Sequence, residues 1–364
     1  MELTSYLDLM VSKGASDLFL SVGSPPHIKV EGLLRRLEGD PLPAGSVEHL
    51  ATSLMSQDQR VAFQQRPEMN LAFSRGNQGR FRVNIFRQRG EVSIVVRHLP
   101  ERIPTFEELH LPPLLGELAT ERRGLILFVG ATGSGKSTSL AAMIDHRNTH
   151  TASHILTIED PVEYLHGYKR SVVEQREVGI DTLCYEDALV NAMREAPDVI
   201  LIGEIRERDT LRHAISYAET GHLCLSTLHA NGAQQSLQRI VSFFPETMRR
   251  QVLLDLSLNL RAIISQRLLQ RQDGVRMPAV EILLNSPHVA DLIQKANFSE
   301  IGTAIEQAQA AGRGMQTFDE SLYGLFRAGL ISREEALAHA DSATNLGLRI
   351  RLSKPGGAAA SGTP

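Results

Sequence analysis

Hydrophobic side chains follow two different patterns along the chain, and the change between them divides the chain in two. Residues 3–13 place apolar side chains three and four positions apart, which predicts an amphipathic helix that ends at Gly14. Four strand-like runs and one helical stretch follow, at 17–22, 27–30, 46–65 (the helix), 79–87 and 92–98. Together they predict a small α+β domain over residues 1–102.

Beyond residue 118 the strand-like runs are short and almost continuously apolar, and they alternate with helical patterns. The predicted strands are 124–130, 154–158, 198–203 and 222–227, and the predicted helices are 137–148, 185–196 and 210–219. Strands that are apolar on both faces indicate a parallel sheet covered by helices. From Glu246 onward the pattern predicts mainly helix.

Two further segments complete the predicted organisation. Residues 103–118 contain Pro104, Pro112 and Pro113 and show little periodicity, which predicts a linker or hinge between the domains. The second domain is then expected over residues 119–345. The small residues that end the chain predict a flexible tail over 346–364.

Composition narrows the class of protein. The chain has 364 residues, with 42% hydrophobic and 22% charged residues, which is typical of a folded two-domain protein. A formal net charge of −4 argues against wholesale nucleic-acid binding. Two cysteines exclude a multi-disulfide framework and a self-contained four-cysteine zinc site. With no apolar run of about 20 residues and no secretory signal pattern, a cytoplasmic protein without a transmembrane segment is expected.

The clearest chemical signal is a phosphate-binding loop that matches G-x-x-x-x-G-K-[ST] between a predicted strand and a predicted helix. Its residues are Gly130, Ala131, Thr132, Gly133, Ser134, Gly135, Lys136 and Ser137, followed by Thr138. Glycines let backbone N–H groups converge on phosphate oxygens, and the helix N-terminus adds its positive end. Lys136 is expected to reach the β- and γ-phosphates of ATP, and the Ser137 hydroxyl to ligate Mg²⁺.

Two acidic positions follow buried strands downstream of this loop. Glu204 ends the apolar run 199–202, at the edge of the sheet where ligands bind in open α/β folds. Gly203 stands where many P-loop enzymes carry a metal-binding Asp, so Glu204 is expected to serve Mg²⁺ partly through water. Glu159, Asp160 and Glu163 follow the predicted strand 154–158. Glu163 is the candidate general base or water-orienting group, and a solvated acidic turn is the alternative.

Histidine and arginine residues supply the remaining candidates. His222 and His229 bracket an apolar strand, either as sensors of the γ-phosphate or as structural histidines. Arg80 and Arg82 share one face of a predicted strand and Arg87 lies beyond them. They either contact phosphate across a domain or subunit boundary or form an ordinary exposed strand face.

In order and spacing, GATGSGKST, HILTIEDPVEY, EAPDVILIGEIRERDT and AETGHLCLSTLHA resemble the Walker A, Asp-box, Walker B and His-box motifs of the secretion and type IV pilus ATPase family. The resemblance covers nearly the whole chain, and the absence of a four-cysteine metal-binding segment favours the retraction branch. It implies an α/β fold in which a PAS-like α+β domain precedes a RecA-like P-loop NTPase domain.

The resemblance also implies roles and partners. Hexameric rings are expected, with ATP and Mg²⁺ held by Lys136 and Ser137, with Glu204 as the Walker B carboxylate and Glu163 as the catalytic acid. His222 and His229 fall in the His box, and Arg80, Arg82 and Arg87 fall where the family brings cations to the nucleotide. The expected partners are the principal retraction motor and an inner-membrane platform protein, at the cytoplasmic base of the pilus.

Three functions stay open on sequence grounds. The first is an ATP-hydrolysing accessory motor for pilus retraction and twitching motility. The second is a nucleotide-binding structural partner of the principal motor that hydrolyses little ATP itself. The third is an assembly ATPase of a type II secretion system.

Overall fold

The computed structural model describes residues 2–30, 32–99 and 102–352, which form two compact units. The first unit contains the described residues up to Ile103, together with Val162–His166 and Gly179–Asp181. The second contains Pro104–Pro161, Gly167–Val178 and the described residues from Thr182 onward. Each unit has a sheet and a hydrophobic core of its own.

The first unit is an antiparallel sheet of six strands with three helices. Its elements are α1 Leu3–Ser12, β1 Asp17–Ser21, β2 His27–Val30, β3 Leu33–Arg36, α2 Ser46–Leu54, α3 Gln57–Gln65, β4 Glu68–Ser74, β5 Arg80–Gln88 and β6 Glu91–Leu99. The strand order is β3-β2-β1-β6-β5-β4. On β5 the side chains of Phe81, Val83 and Ile85 are fully buried, and Arg80 and Arg82 lie half-buried on the opposite face. This is the alternation that the sequence predicts for a half-buried strand.

The second unit is built around a sheet of seven strands. Its elements are α4 Leu114–Ala119, β7 Gly124–Val129, α5 Lys136–His150, β8 His154–Glu159, β9 Val172–Glu177, α6 Tyr185–Ala192, β10 Val199–Ile202, α7 Arg208–Glu219, β11 Leu223–Leu228, α8 Ala233–Ser242, α9 Glu246–Asn259, β12 Leu260–Gln270, β13 Arg276–Leu284, α10 Pro287–Gln294, α11 Ile301–Ala310, α12 Phe318–Arg327, α13 Arg333–Ala338 and α14 Ala343–Leu352.

This sheet has the order β13-β12-β7-β11-β10-β8-β9, with β13 antiparallel to β12 and the other neighbours parallel. Helices cover both faces, and a separate core lies on each face. Strands β7, β10 and β11 are buried along their whole length. Burial on both faces explains their continuous apolar sequences. The predicted α/β fold class is therefore confirmed.

The prediction of mainly helix from Glu246 onward is wrong for two strands. Residues 260–270 and 276–284 form β12 and β13, and β12 extends the sheet beside β7. The run Ala262–Ser265 is fully buried. A short apolar run has no period that separates a buried strand from a buried helix. Strand β9, which pairs with β8, was not predicted either.

The predicted linker and tail are each wrong over part of their length. Phe106, Leu111 and Leu115 are buried in the core of the second unit, and Leu115 belongs to α4, so residues 106–118 are packed structure. Prolines interrupt helical periodicity there without preventing burial of the apolar side chains between them. Residues 346–352 complete α14, with Leu346 and Ile350 buried. The remainder of the predicted tail lies outside the described residues.

None of the helices in the described part of the chain combines the length and the apolar character that crossing a membrane requires.

Candidate active site

The parallel strands of the second unit bring their carboxyl ends to one edge of the sheet. Leu228 of β11 pairs with Val129 of β7, and Ile202 of β10 pairs with Ile158 of β8. The residues that follow these strands therefore meet at this carboxyl edge. They are the phosphate-binding loop after β7, Glu159 and Asp160 at the end of β8, Glu204 after β10 and His229 after β11.

The phosphate-binding loop has the backbone that its glycines permit. Gly133 and Gly135 have φ of 78° and 85°, in the left-handed region that disfavours other residues. Helix α5 begins at Lys136, so its free N–H groups face the loop. The Lys136 ammonium donates hydrogen bonds to the carbonyls of Gly130 and Ala131, both at 2.9 Å. Ser137 lies half-buried in the first turn of α5.

The side chain of Gln266, on β12, holds the phosphate-binding loop and the first turn of α5 through hydrogen bonds. Its Nε2 donates to the Ser134 carbonyl at 2.7 Å, and its Oε1 accepts from the Ser139 hydroxyl at 2.8 Å. A Cβ on Gly130 would lie 2.5 Å from the Gln266 carbonyl oxygen, and one on Gly135 would lie 2.8 Å from its Nε2. The first of these clashes is with backbone, so the glycines are also needed for this support. Sequence reasoning missed Gln266 because its strand was read as helix.

Glu204 is the centre of a charged cluster at the carboxyl edge. Its Oε1 lies 2.8 Å from Nε2 of His229, and its Oε2 accepts a hydrogen bond from Nε of Arg206 at 2.8 Å. Arg206 also reaches Asp160, with Nη1 3.5 Å from Oδ2. The Glu204 side chain is 18% exposed. The structure thus brings together the predicted Glu204 and His229, and it adds Arg206, which was not predicted although it stands two residues beyond Glu204.

Tyr185, at the start of α6, is a further residue that sequence reasoning missed. A Cβ on Gly203 would lie 3.0 Å from the Tyr185 hydroxyl, so the hydroxyl borders the place of the metal-binding Asp that this chain lacks. Burial, reinforced by the negative charge of Asp160, raises the pKa of Tyr185. The hydroxyl therefore stays protonated and is a donor beside the acidic cluster. No sequence motif marks it, because a Tyr in an amphipathic helix is usually a core residue.

The two acids of the β8 turn differ in their surroundings from Glu163. Glu159 accepts a hydrogen bond from the Thr157 hydroxyl at 2.7 Å, and Asp160 contacts Arg206 as described above. Glu163 is exposed and belongs to Val162–His166, the stretch that groups with the first unit. Its role as catalytic acid stays a prediction.

The structure places His222 and His229 at opposite edges of the sheet, so the two histidines do not meet at one site within a chain, and the sensor role of His222 stays a prediction. His222 precedes β11 and His229 follows it, and the six residues of that strand separate them by about 20 Å. At the opposite edge of the sheet, His222 Nδ1 lies 3.1 Å from the Thr220 hydroxyl and 3.2 Å from the Tyr217 carbonyl. The two ends of one strand look equivalent in sequence, but they lie at opposite edges of the sheet.

The three predicted arginines belong to the first unit. Arg87 donates to Glu48 at 2.7 Å, and its guanidinium lies 5.6 Å from the centre of the Phe63 ring. Arg80 and Arg82 are half-buried on β5 and engaged in interactions of their own. Contact of these side chains with nucleotide stays a prediction.

The donors at the carboxyl edge suit Mg²⁺. Within residues 2–30, 32–99 and 102–352, no group of three His, Cys, Asp or Glu side chains forms a cage for a metal ion. Magnesium is usually held by one or two protein oxygens together with substrate phosphates and water. The Ser137 hydroxyl and the Glu204 carboxylate are such donors. Since both Glu204 oxygens already contact a cationic or imidazole side chain, contact through water fits this residue best.

Comparison with known proteins agrees with this architecture. The profile of the family described as type II/IV secretion system protein matches residues 6–317. The type IV pilus ATPase PilU of Pseudomonas aeruginosa is 50% identical over 353 residues, which cover 97% of this chain and 92% of that protein. The retraction ATPase PilT of the same organism is 42% identical, over 92% and 97% of the two chains.

Among solved structures, the pilus retraction motor PilT with bound ADP superposes with a TM-score of 0.86 at 39% identity. The match covers 94% of this chain and 98% of that one. Residues 6–317, which the family profile matches, include residues of both units and the phosphate-binding loop. The chain therefore belongs to the type II/IV secretion system protein family, in the branch that includes the type IV pilus ATPase PilU and the retraction ATPase PilT.

Proposed function

We propose that this chain is a Mg²⁺-dependent ATPase that converts ATP and water to ADP and phosphate in the type IV pilus machine. It supports pilus retraction and twitching motility as a PilU-type accessory to a PilT-type motor. The observation that carries the enzymatic part is the contact of Glu204 with His229, at 2.8 Å, on the edge of the sheet that also bears the phosphate-binding loop. The similarity to PilU and PilT carries the biological part.

Each candidate residue has a separate role in binding and hydrolysing ATP. Backbone N–H groups at the start of α5 and the Lys136 ammonium bind the phosphates, and Lys136 exchanges its loop carbonyls for phosphate oxygens. Ser137 directly, and Glu204 through water, would hold Mg²⁺, which would neutralise charge on the phosphate oxygens. His229 contacts Glu204 and is placed to respond to loss of the γ-phosphate. Glu163 orients the attacking water. Arg80, Arg82 and Arg87, in the first unit of the same or a neighbouring chain, bring positive charge to the phosphates.

The assembly that we propose follows the family. Six copies form a ring, which works beside a ring of the PilT-type ATPase at the cytoplasmic face of the inner membrane and docks there on the platform protein of the pilus. Contacts to the γ-phosphate exist before hydrolysis and are lost after it, so the two nucleotide states favour different arrangements of the two units. This population shift is the source of displacement.

Phosphate release by the purified chain tests the enzymatic part. We expect Lys136→Ala and Glu204→Gln each to lower kcat by about 100-fold or more, since each removes a charge aimed at the transferred phosphoryl group or its metal. Lys295→Ala is the matched control, because Lys295 is exposed and pairs with Asp291 on α10, away from the site. Equal rates in Lys136→Ala and the wild type would contradict the proposal.

Retraction under load in cells separates the motor from a structural partner. We expect cells carrying Glu204→Gln to retract as weakly as cells that lack the protein. If Glu204→Gln restores full retraction to the deletion strain, presence rather than hydrolysis matters, and the chain is a nucleotide-binding structural partner.

A further inference from the structure

His229 stands on a four-residue loop, residues 229–232, that joins β11 to α8. The loop is partly exposed, with Asn231 exposed, so packing alone does not fix its conformation. A histidine that reports on phosphate must nevertheless hold its ring in place with respect to Glu204. The structure shows two contacts that hold this loop from β12 and β13.

The first contact comes from Glu281 on β13. Its Oε1 accepts hydrogen bonds from the backbone N–H of Ala233 and from the Ser265 hydroxyl, both at 2.8 Å. Ala233 is the first residue of α8, so the carboxylate caps the helix that directly follows the loop. Burial raises the pKa of Glu281, and the two hydrogen bonds oppose that shift. Both hydrogen bonds go to one oxygen, Oε1, and a glutamine side chain offers an acceptor oxygen at the same place.

The second contact comes from Arg267 on β12. Its Nη2 lies 3.5 Å from the Asn231 carbonyl and 2.7 Å from Oδ1 of Asp341, and its Nη1 donates to the His339 carbonyl at 2.7 Å. The guanidinium lies 3.8 Å from the centre of the Phe318 ring. These contacts join the loop to the segment between α13 and α14. Arg267 thus has a rigid base from which to hold Asn231.

We propose that Glu281 is a positioning residue for His229, and that Arg267 supports it by holding the same loop. Glu281 fixes the first N–H of α8, four residues beyond His229, and Arg267 fixes the carbonyl of Asn231, two residues beyond it. The hydrogen bonds of Glu281 and Arg267 described here go to neither Glu204 nor the phosphate-binding loop, so both residues act through the loop that carries the histidine. The inference rests on the proposed function of His229.

A double-mutant cycle on steady-state ATP hydrolysis tests the proposal. We expect Glu281→Ala to lower kcat by about 10-fold or more, as misplaced catalytic groups do, and to leave the Kd for ADP within about 3-fold of wild type. Glu281→Gln keeps the acceptor oxygen and should retain most of kcat. In the His229→Ala background, Glu281→Ala should cause no further loss. Glu246→Ala, an exposed glutamate at the start of α9, is the matched control.

Hydrogen exchange supplies a readout that needs no turnover. The amides of residues 229–236 should exchange faster in Glu281→Ala than in the wild type, and at the wild-type rate in Glu281→Gln. If Glu281→Ala does not fold, Ser265→Ala removes one of the two donors to the same oxygen. It should give a smaller loss of kcat that also vanishes in the His229→Ala background.

The possible failures are distinguishable. If His229→Ala is slow but Glu281→Ala is normal, or if the losses add, Glu281 does not position His229 and the proposed function stands. If His229→Ala hydrolyses ATP at the wild-type rate, His229 has no role in turnover and the inference falls with it. Unchanged exchange over residues 229–236 in Glu281→Ala also overturns the positioning role.

Discussion

Both edges of the seven-stranded sheet carry charged and histidine side chains, but the partners of these side chains differ. The parallel strands end at the carboxyl edge and begin at the opposite edge, the amino edge. At the carboxyl edge, Glu204 and His229 contact each other and stay partly exposed, at 18% and 36% of their side chains. At the amino edge, Arg147 is buried and donates to two backbone carbonyls, and His222 contacts a backbone carbonyl as well. Arg147, bonded to backbone and buried, therefore stabilises the fold, whereas Glu204 and His229, which contact each other in partial contact with solvent, remain available to a ligand.

This comparison predicts that substitutions at the amino edge change stability and that substitutions at the carboxyl edge change turnover. The parallel register makes the prediction possible, because it sorts every strand end to one edge or the other. It also assigns opposite outcomes to residues of the same type. Three pairs of substitutions test it.

Arg147→Ala should have the largest effect on stability. Arg147 donates to the carbonyls of Ala119 at 2.9 Å and Glu121 at 2.7 Å, and its removal leaves the first without this donor in a buried place and the second in a partly buried one. We expect the free energy of unfolding to fall by about 2–4 kcal/mol, measured by urea unfolding of the second unit. Turnover per folded molecule should stay near wild type.

Arg212→Ala is the control for Arg147→Ala, since Arg212 is 61% exposed and its nearest acid, Asp209, lies 4.0 Å away. It should change the free energy of unfolding by less than about 0.5 kcal/mol. A loss of turnover without a loss of stability in Arg147→Ala would show that the amino edge takes part in catalysis and would break the comparison.

His229→Ala against His222→Ala tests the comparison on one strand. We expect His229→Ala to lower kcat by about 10- to 100-fold, because it removes the partner of Glu204 beside the phosphate-binding loop. His222→Ala should keep kcat and lower stability by about 1 kcal/mol, through loss of its hydrogen bonds to Thr220 and Tyr217. Single-turnover phosphate release and thermal unfolding of both variants measure this. A similar fall of kcat in the two variants would mean that His222 reaches a nucleotide of another subunit.

The same contrast explains how far the sequence could go. The phosphate-binding loop and Glu204 follow apolar strands directly, so their chemistry and their place in the fold are both local, and both were predicted. Gln266 and Glu281 bond to segments that lie more than 45 residues away in the sequence. They belong to β12 and β13, whose short apolar sequences do not distinguish a buried strand from a buried helix. Such contacts depend on the order of strands in the sheet. No local pattern contains that order.

Tyr185→Phe should have the smallest effect and tests how finely the carboxyl edge is tuned. The substitution removes a hydroxyl that lies next to Gly203 and leaves the ring in place. The hydroxyl stays protonated because burial and Asp160 raise its pKa, so its loss removes one donor from the neighbourhood of Asp160 and Glu204. Removal of this one hydroxyl donor should lower kcat by about 2- to 10-fold.

Tyr168→Phe is the control for Tyr185→Phe, because Tyr168 is 75% exposed. Phosphate release at saturating ATP, with Kd for ADP measured in parallel, separates turnover from binding. If Tyr185→Phe leaves kcat unchanged and alters only the unfolding temperature, the hydroxyl is a packing group. The carboxyl edge would then contain structural side chains like those of the amino edge, and the division between the two edges would hold for charged residues alone. If kcat falls as expected while stability is kept, the division extends to a neutral side chain, and the carboxyl edge acts as a site because of its position in the sheet rather than its charge.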